Sequence, residues 1–259
     1  MITRRHLIAS AAAATAGASL IRPFAAMAQN LTGDIYALDG TDTLSIHPIS
    51  HASFVMTTPA GVIYVDPVGG GALYEALPAP DAILITHHHG DHFDPDTLAA
   101  LTQRAGGPVP MITNPTVHEQ LDPEVGAAAT AMENGQNAEL LGLPIEAIPA
   151  YNFTEERLQY HPKGRDNGYI IEVGGKRVYI AGDTEDTDEM KALEDIDIAF
   201  VPFNMPYTMT EAQAATGVGG FAPGVVYPYH YNDSDLDLFE SLLSEQDVPT
   251  DVVRGTWYS

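Results

Sequence analysis

The segment Thr86-His87-His88-His89-Gly90-Asp91-His92 follows directly on the apolar run Ala82-Ile83-Leu84-Ile85. A short apolar run bounded by polar residues reads as a buried strand, so its end delivers His87, His89, Asp91 and His92 into one loop. Imidazole nitrogen and carboxylate oxygen are the donors that borderline divalent ions such as zinc prefer. The spacing offers two pairs, His87 with His89 and Asp91 with His92, so one loop can serve two ions. Two ions about 3.5–4 Å apart need more donors than one loop can aim. Asp183, in Gly182-Asp183-Thr184, follows the apolar run Arg177-Val178-Tyr179-Ile180-Ala181, and His230 in Tyr229-His230-Tyr231 follows Val225-Val226-Tyr227.

These motifs, with an early strand ending in Asp66-Pro67, resemble the metallo-β-lactamase fold superfamily from about residue 43 to residue 230. Ile49-Ser50-His51-Ala52-Ser53 and Pro206-Tyr207-Thr208-Met209-Thr210-Glu211-Ala212 look like the branch that includes the ascorbate-6-phosphate lactonase type and many unassigned hydrolases. The resemblance implies an α/β fold, a four-layer α/β/β/α sandwich of two similar halves, with the ligand-bearing strand ends along one edge. It also implies a ligand allocation: His87 and His89 on one ion, Asp91 and His92 on the other, Asp183 bridging, and His230 completing the second site. The third histidine of the first site is absent where the superfamily usually carries it, because Ile148-Pro149-Ala150 runs into Tyr151-Asn152. His161 is the expected substitute. If it points elsewhere, Asn152 lends an oxygen or the first ion keeps fewer ligands.

Of the other histidines, His88 reads as a partner or surface group, and His51 either as a pocket hydrogen-bonder or as a core histidine. Asp66 is expected beneath the metal loop, holding backbone amides or a ligand imidazole. His47 and His118 adjoin no motif, and His118 is expected within a helix.

Two divalent ions sharing a water lower its pKa and yield a hydroxide nucleophile. Asp91 can orient it and pass a proton to the leaving group, and Tyr207 can donate to an oxyanion. The expected activity is metal-dependent hydrolysis of an ester, lactone, amide or phosphodiester. Arg157, Lys163, Arg165, Lys176 and Arg177 crowd positions 157–177, which makes Lys163, Arg165 and Asn167 candidate contacts to a small anionic substrate. Zinc is the expected metal, with manganese and iron suited by the same donors. Two alternatives share these residues: an iron-dependent oxidoreductase on the same fold, and an exported metal-binding protein without turnover.

The amino terminus carries Arg4-Arg5, an Ala-rich apolar stretch to Ile21 and the cleavage pattern Ala26-Met27-Ala28, which predicts a twin-arginine signal over residues 1–28 and a mature hydrolase domain over 29–259. Residues 7–21 are too short to span a bilayer as a helix, which takes about 20 apolar residues, so no stable membrane anchor is expected. The expected location is the periplasm or beyond, with the twin-arginine export machinery as a partner. Without residues 1–28 and their three arginines the chain keeps eight basic against 35 acidic residues, a formal charge of −27. That charge argues against nucleic acid and anionic lipid as partners. No cysteine is present, which excludes disulfides, thiolate metal sites and cysteine nucleophiles.

Gly and Pro punctuation predicts strands over 43–48, 53–57, 61–66, 82–85, 111–113 and 145–150, and helices over 72–77 and 95–104, with a further helix starting at Asn114-Pro115. The second half repeats the theme with a hairpin of 168–173 and 176–181 across Gly174-Gly175, a helix over 188–193 and a strand over 198–201. The runs Gly61-Val62-Ile63-Tyr64-Val65 and Lys176-Arg177-Val178-Tyr179-Ile180 look like copies, as do Asp81-Ala82-Ile83-Leu84 and Asp197-Ile198-Ala199-Phe200.

Overall fold

The computed structural model describes residues 33–258; the predicted signal over 1–28 lies outside them. One sheet runs in chain order through β1 (Asp34–Ala37), β2 (Thr43–Ser50), β3 (Ser53–Thr58), β4 (Gly61–Val65), β5 (Ala82–Leu84), β6 (Met111–Thr113) and β7 (Ala129–Ala131). Its first four strands pair antiparallel and its last four parallel. The second sheet repeats that plan with β8 (Asn137–Leu140), β9 (Leu143–Ala150), β10 (Asp166–Val173), β11 (Lys176–Ile180), β12 (Ile198–Pro202), β13 (Val225–Tyr229) and β14 (Asp251–Val252). Antiparallel pairing again gives way to parallel at the fourth strand, β11.

The copied runs behave as copies. Asp81 Oδ2 accepts from Val62 N at 2.9 Å, and Asp197 Oδ2 accepts from Arg177 N at the same distance. Each aspartate locks the start of a parallel strand to its neighbour, which fixes register and therefore which side chains point inward.

Alternation along the strands produces the layers. Ile63, Val65, Ala82 and Leu84 point to a central core shared with Ile171, Val178, Ile180 and Phe200 of the other sheet. Phe54 and Phe200 stack across that interface with ring centroids 4.0 Å apart. The intervening residues point outward: Val62, Tyr64 and Ile83 pack under α1 (Pro95–Ala105) and α2 (Pro115–His118). On the far face, Ile170, Tyr179, Ala199 and Val226 pack under α3 (Asp188–Lys191), α4 (Glu211–Phe221) and α5 (Leu236–Ser244). Each fully buried aliphatic or aromatic side chain contributes about 1.5–3 kcal/mol. The result is the expected four-layer sandwich.

The details depart from expectation at four places. The helix predicted over 72–77 is a 3-10 turn, Gly71–Tyr74, and that over 188–193 is the single turn of α3. His118 is the exposed last residue of a one-turn α2 rather than mid-helix. Additional strands β1, β7, β8 and β14 extend the sheets at both edges.

Candidate metal centre

The loop after β5 is held from below by Asp66. Its carboxylate accepts from Thr86 N at 2.7 Å and Thr86 Oγ1 at 2.7 Å, and lies 2.8 Å from His92 Nδ1. Thr86 Oγ1 also sits 3.1 Å from His87 Nδ1. Across the cleft, Gly182 turns the chain after β11 with φ of +64°, and a Cβ there would stand 2.8 Å from Asn167 O. Only glycine fits that left-handed, crowded corner, and it delivers Asp183 into the cleft. His230 follows the end of β13 in a left-handed conformation, φ 49°. His161 arrives by an excursion between β9 and β10: Asn152 N donates to His161 O at 2.8 Å, returning the imidazole to the end of β9.

Asp183 is the hub. Its Oδ2 lies 3.3 Å from His161 Nε2, 3.3 Å from His230 Nε2 and 3.8 Å from His87 Nε2, while Oδ1 lies 3.2 Å from His92 Nε2. His87 Nε2 is 3.1 Å from His89 Nδ1, two ring nitrogens turned to one point. Asp91 Oδ2 lies 3.3 Å from His230 Nε2 and 3.2 Å from His51 Nε2. Donor atoms of His87, His89, His161 and Asp183 cluster within 4.8 Å of one another, as do those of His92, Asp183 and His230, and of His51, Asp91 and His230.

The buried atoms His92 Nε2, His161 Nε2, His230 Nε2 and Asp183 Oδ1 have no hydrogen-bond partner among the described residues. Unpaired buried polar atoms are costly, and convergent unpaired imidazole and carboxylate donors are what a divalent cation requires. The second nitrogen of several rings is already anchored, His92 Nδ1 on Asp66 and His161 Nδ1 on Asp166 at 3.0 Å. Such anchoring fixes the tautomer that turns Nε2 towards a metal. The donor set fits two ions.

Electrostatics agree with cation binding. Burial alone would push the Asp183 carboxyl up, but His230 and His92 beside it hold it well below the usual carboxylate range. Burial pulls His92 and His161 down; for His92 the charges of Asp183 and Asp66 outweigh that, and for His161 the hydrogen bond to Asp166 and the neighbouring carboxylate of Asp183 do so, and both imidazoles end above their ordinary value. Burial, with the charge of His161, brings His89 down to about 4. The cluster thus holds protons where a cation would displace them.

A cavity of about 400 Å³ opens over the cluster, lined by His51, His89, Asp91, Tyr160, His161, Asp183, Asn204, Tyr207 and Asn232. Tyr207 reaches it from the turn after β12, its ring edge-on to Tyr160 at 5.0 Å. Lys163, Arg165 and Asn167 do not line it. Lys163 Nζ is 2.8 Å from Glu189 Oε1 and 3.0 Å from Tyr151 OH, and Arg165 holds Asp166 by Nε and Nη2, each at 2.7 Å. Asn167 is buried and donates to Met132 O at 2.8 Å. Local carboxylates and carbonyls have claimed the groups that the sequence suggested for substrate. Asn152 ties loops, donating from Nδ2 to Tyr207 O at 2.7 Å and Arg157 O at 3.1 Å.

Sequence reasoning left His51 open and missed Asp166, Asn204, Asn232 and Tyr258. His51 joins the site, with its Nδ1 2.8 Å from Tyr258 OH and its ring 3.8 Å from that of His230. His51, Asp66, His230 and Asn232 are four of the eight described non-glycine residues with positive φ. Strained backbone concentrated in one cleft is a mark of a functional site.

The beta-lactamase superfamily domain profile matches residues 45–230. A UPF0173 metal-dependent hydrolase of Anaeromyxobacter dehalogenans is 32% identical over 201 residues, 70% of this chain and 72% of that one. Among solved structures, a candidate metal-dependent hydrolase of Parabacteroides distasonis superposes with TM-score 0.77 at 40% identity, covering 86% of this chain and 99% of that chain. Igni18, a metallo hydrolase of the archaeon Ignicoccus hospitalis, gives TM-score 0.67 at 25% identity over 82% of this chain and 95% of that one.

Proposed function

The chain belongs to the beta-lactamase superfamily domain family, and from that premise we propose that it is a metal-dependent hydrolase of a small ester, lactone, amide or phosphodiester. The observation that carries the reading is the convergence of unpaired buried donors on Asp183 beneath an open cavity. His87, His89 and His161 would hold one divalent ion, Asp91, His92 and His230 the other, with Asp183 between them; zinc is the metal proposed. Bound there, the ions supply Lewis acidity and an activated water.

The protein's own groups do the rest. Asp91 lines the cavity with half its side chain exposed, its Oδ2 3.3 Å from His230 Nε2 and 3.2 Å from His51 Nε2. Burial would raise its carboxyl, but those two imidazoles hold it far below the ordinary range, so it is a carboxylate at neutral pH. Water attacks the carbonyl or phosphoryl centre, Asp91 takes the proton released, and the bond to the leaving atom breaks as that proton is handed on. Tyr207, which lines the same cavity, would donate from its OH to the oxygen that gains charge.

Asp91→Asn should abolish turnover and weaken the ion held by His92 and His230, whereas His161→Ala should abolish turnover and remove the other ion. Full activity with full ion content in His161→Ala contradicts the ligand assignment.

Export is the companion proposal, supported by Arg4-Arg5 and Ala26-Met27-Ala28. Replacing both arginines by lysine should trap the protein in the cytoplasm on fractionation; undiminished export would contradict the twin-arginine route.

A further inference from the structure

We propose that the site takes an uncharged substrate with an apolar or aromatic body, seated against the paired rings of Tyr160 and Tyr207 with its reacting group towards Asp91 and Asp183. The inference rests on the hydrolase reading and narrows it to neutral esters, lactones or amides.

Three observations carry it. First, no lysine or arginine among the described residues lines the cavity. The cations of the segment that carries Tyr160 and His161 are neutralised where they stand: Arg157 on Glu185 at 2.6 Å, Lys163 on Glu189 at 2.8 Å, Arg165 on Asp166 at 2.7 Å. Nothing in the protein part of the cavity is left to hold a remote carboxylate or phosphate, and the formal charge of −24 repels one.

Second, the walls offer flat apolar surface. Tyr160 and Tyr207 meet edge to face at an interplanar angle of 73°, a corner that accepts a ring or alkyl chain. Apart from the histidines and aspartates of the candidate metal centre, the remaining polar groups of the lining are the neutral amides of Asn204 and Asn232.

Third, exposed apolar residues gather on the two segments that carry those tyrosines. Phe153 (49% exposed), Leu158 (46%), Met205 (47%) and Tyr207 (45%) are four of the eight large hydrophobics exposed among the described residues. Arg157 Nη1 donates to Thr208 O at 2.6 Å and Asn152 Nδ2 to Tyr207 O at 2.7 Å, so the segments form one rim. Single exposed hydrophobics are ordinary, but a group of them beside a cavity marks a binding surface.

The test compares two esters that share a reacting bond and differ in remote charge, 4-nitrophenyl hexanoate and mono-4-nitrophenyl adipate, on the metal-loaded full chain. The hexanoate should have the higher kcat/KM by about tenfold or more, and Tyr160→Ala should raise KM for it while leaving ion content unchanged. Equal rates, or preference for the adipate, would overturn the inference while the hydrolase reading stands. If neither ester turns over, activity towards simple esters is excluded and the wider hydrolase reading stands on its other substrate classes. Calorimetry with hexanamide and adipic acid monoamide then decides the pocket: tighter hexanamide binding supports it, and equal or weaker binding overturns it.

Discussion

His92 and His161 each spend Nδ1 on a buried carboxylate, Asp66 and Asp166, and turn Nε2 to Asp183. The anchors are as much a part of the site as the donors. Asp66 serves three groups at once, the backbone and hydroxyl of Thr86 and the ring of His92. Asp66→Asn keeps the size but substitutes an amide that cannot accept from all three donors. Affinity for one of the two ions should fall about 10–100-fold, read by competition with a chromogenic chelator; unchanged affinity would show that the loop orients His92 without Asp66. At this scale part of the arrangement was legible: His87, His89, Asp91 and His92, singled out by spacing, and Asp183 and His230, each following an apolar run, lie in overlapping donor clusters. His161 also joins them, although no spacing rule placed it there. Asp166 could not be read because its function depends on a pairing five residues back that only the loop's return creates. Lys163 and Arg165 misled because composition shows clustered charge but not which carboxylates neutralise it.

Elements carry the site through their ends. Asp94 caps α1 directly after the metal loop, its carboxylate accepting from Asp96 N, Thr97 N and Thr97 Oγ1, and from Gly69 N in the loop that follows Asp66. Burial would raise its carboxyl, but those hydrogen bonds outweigh it and the pKa lies below the usual carboxylate value. A carboxyl depressed in the folded state stabilises fully above its unfolded pKa, and that stability is lost as pH falls through the folded value. Asp94→Ala should therefore cost about 1 kcal/mol at pH 7. Denaturant melts should show the gap between variant and parent closing below pH 4; a gap independent of pH would mean that packing, not the charged cap, sets it. Strands flanked by Gly or Pro were readable, as were α1 from Pro95, the Asn114-Pro115 helix start and the Gly174-Gly175 hairpin. The edge strands β7 and β14 were not, because three residues of Ala-Thr-Ala and two of Asp-Val carry no periodicity and are strands only through their neighbours.

Across the whole molecule, two copies of one sheet plan face each other and place both sets of ligand-bearing strand ends around one cleft. The duplication was visible because Asp81 and Asp197 perform the same register-locking task in each copy. Net charge acts at this scale too. At −24 the folded chain repels itself, and salt shortens the reach of that repulsion to about 10 Å at 0.1 M. The thermal midpoint of the metal-loaded protein should rise as sodium chloride goes from about 0.05 to 0.5 M. A flat or falling midpoint would mean that ion pairs such as Arg157–Glu185 outweigh the global repulsion.

The central claim is a two-ion centre in which His161 replaces the histidine missing after β9. Elemental analysis of the purified protein beside His161→Ala tests it most directly. Two ions per chain in the parent and one in the variant is the result predicted. Two ions in both, or one in both, would contradict the assignment of His161 as a ligand.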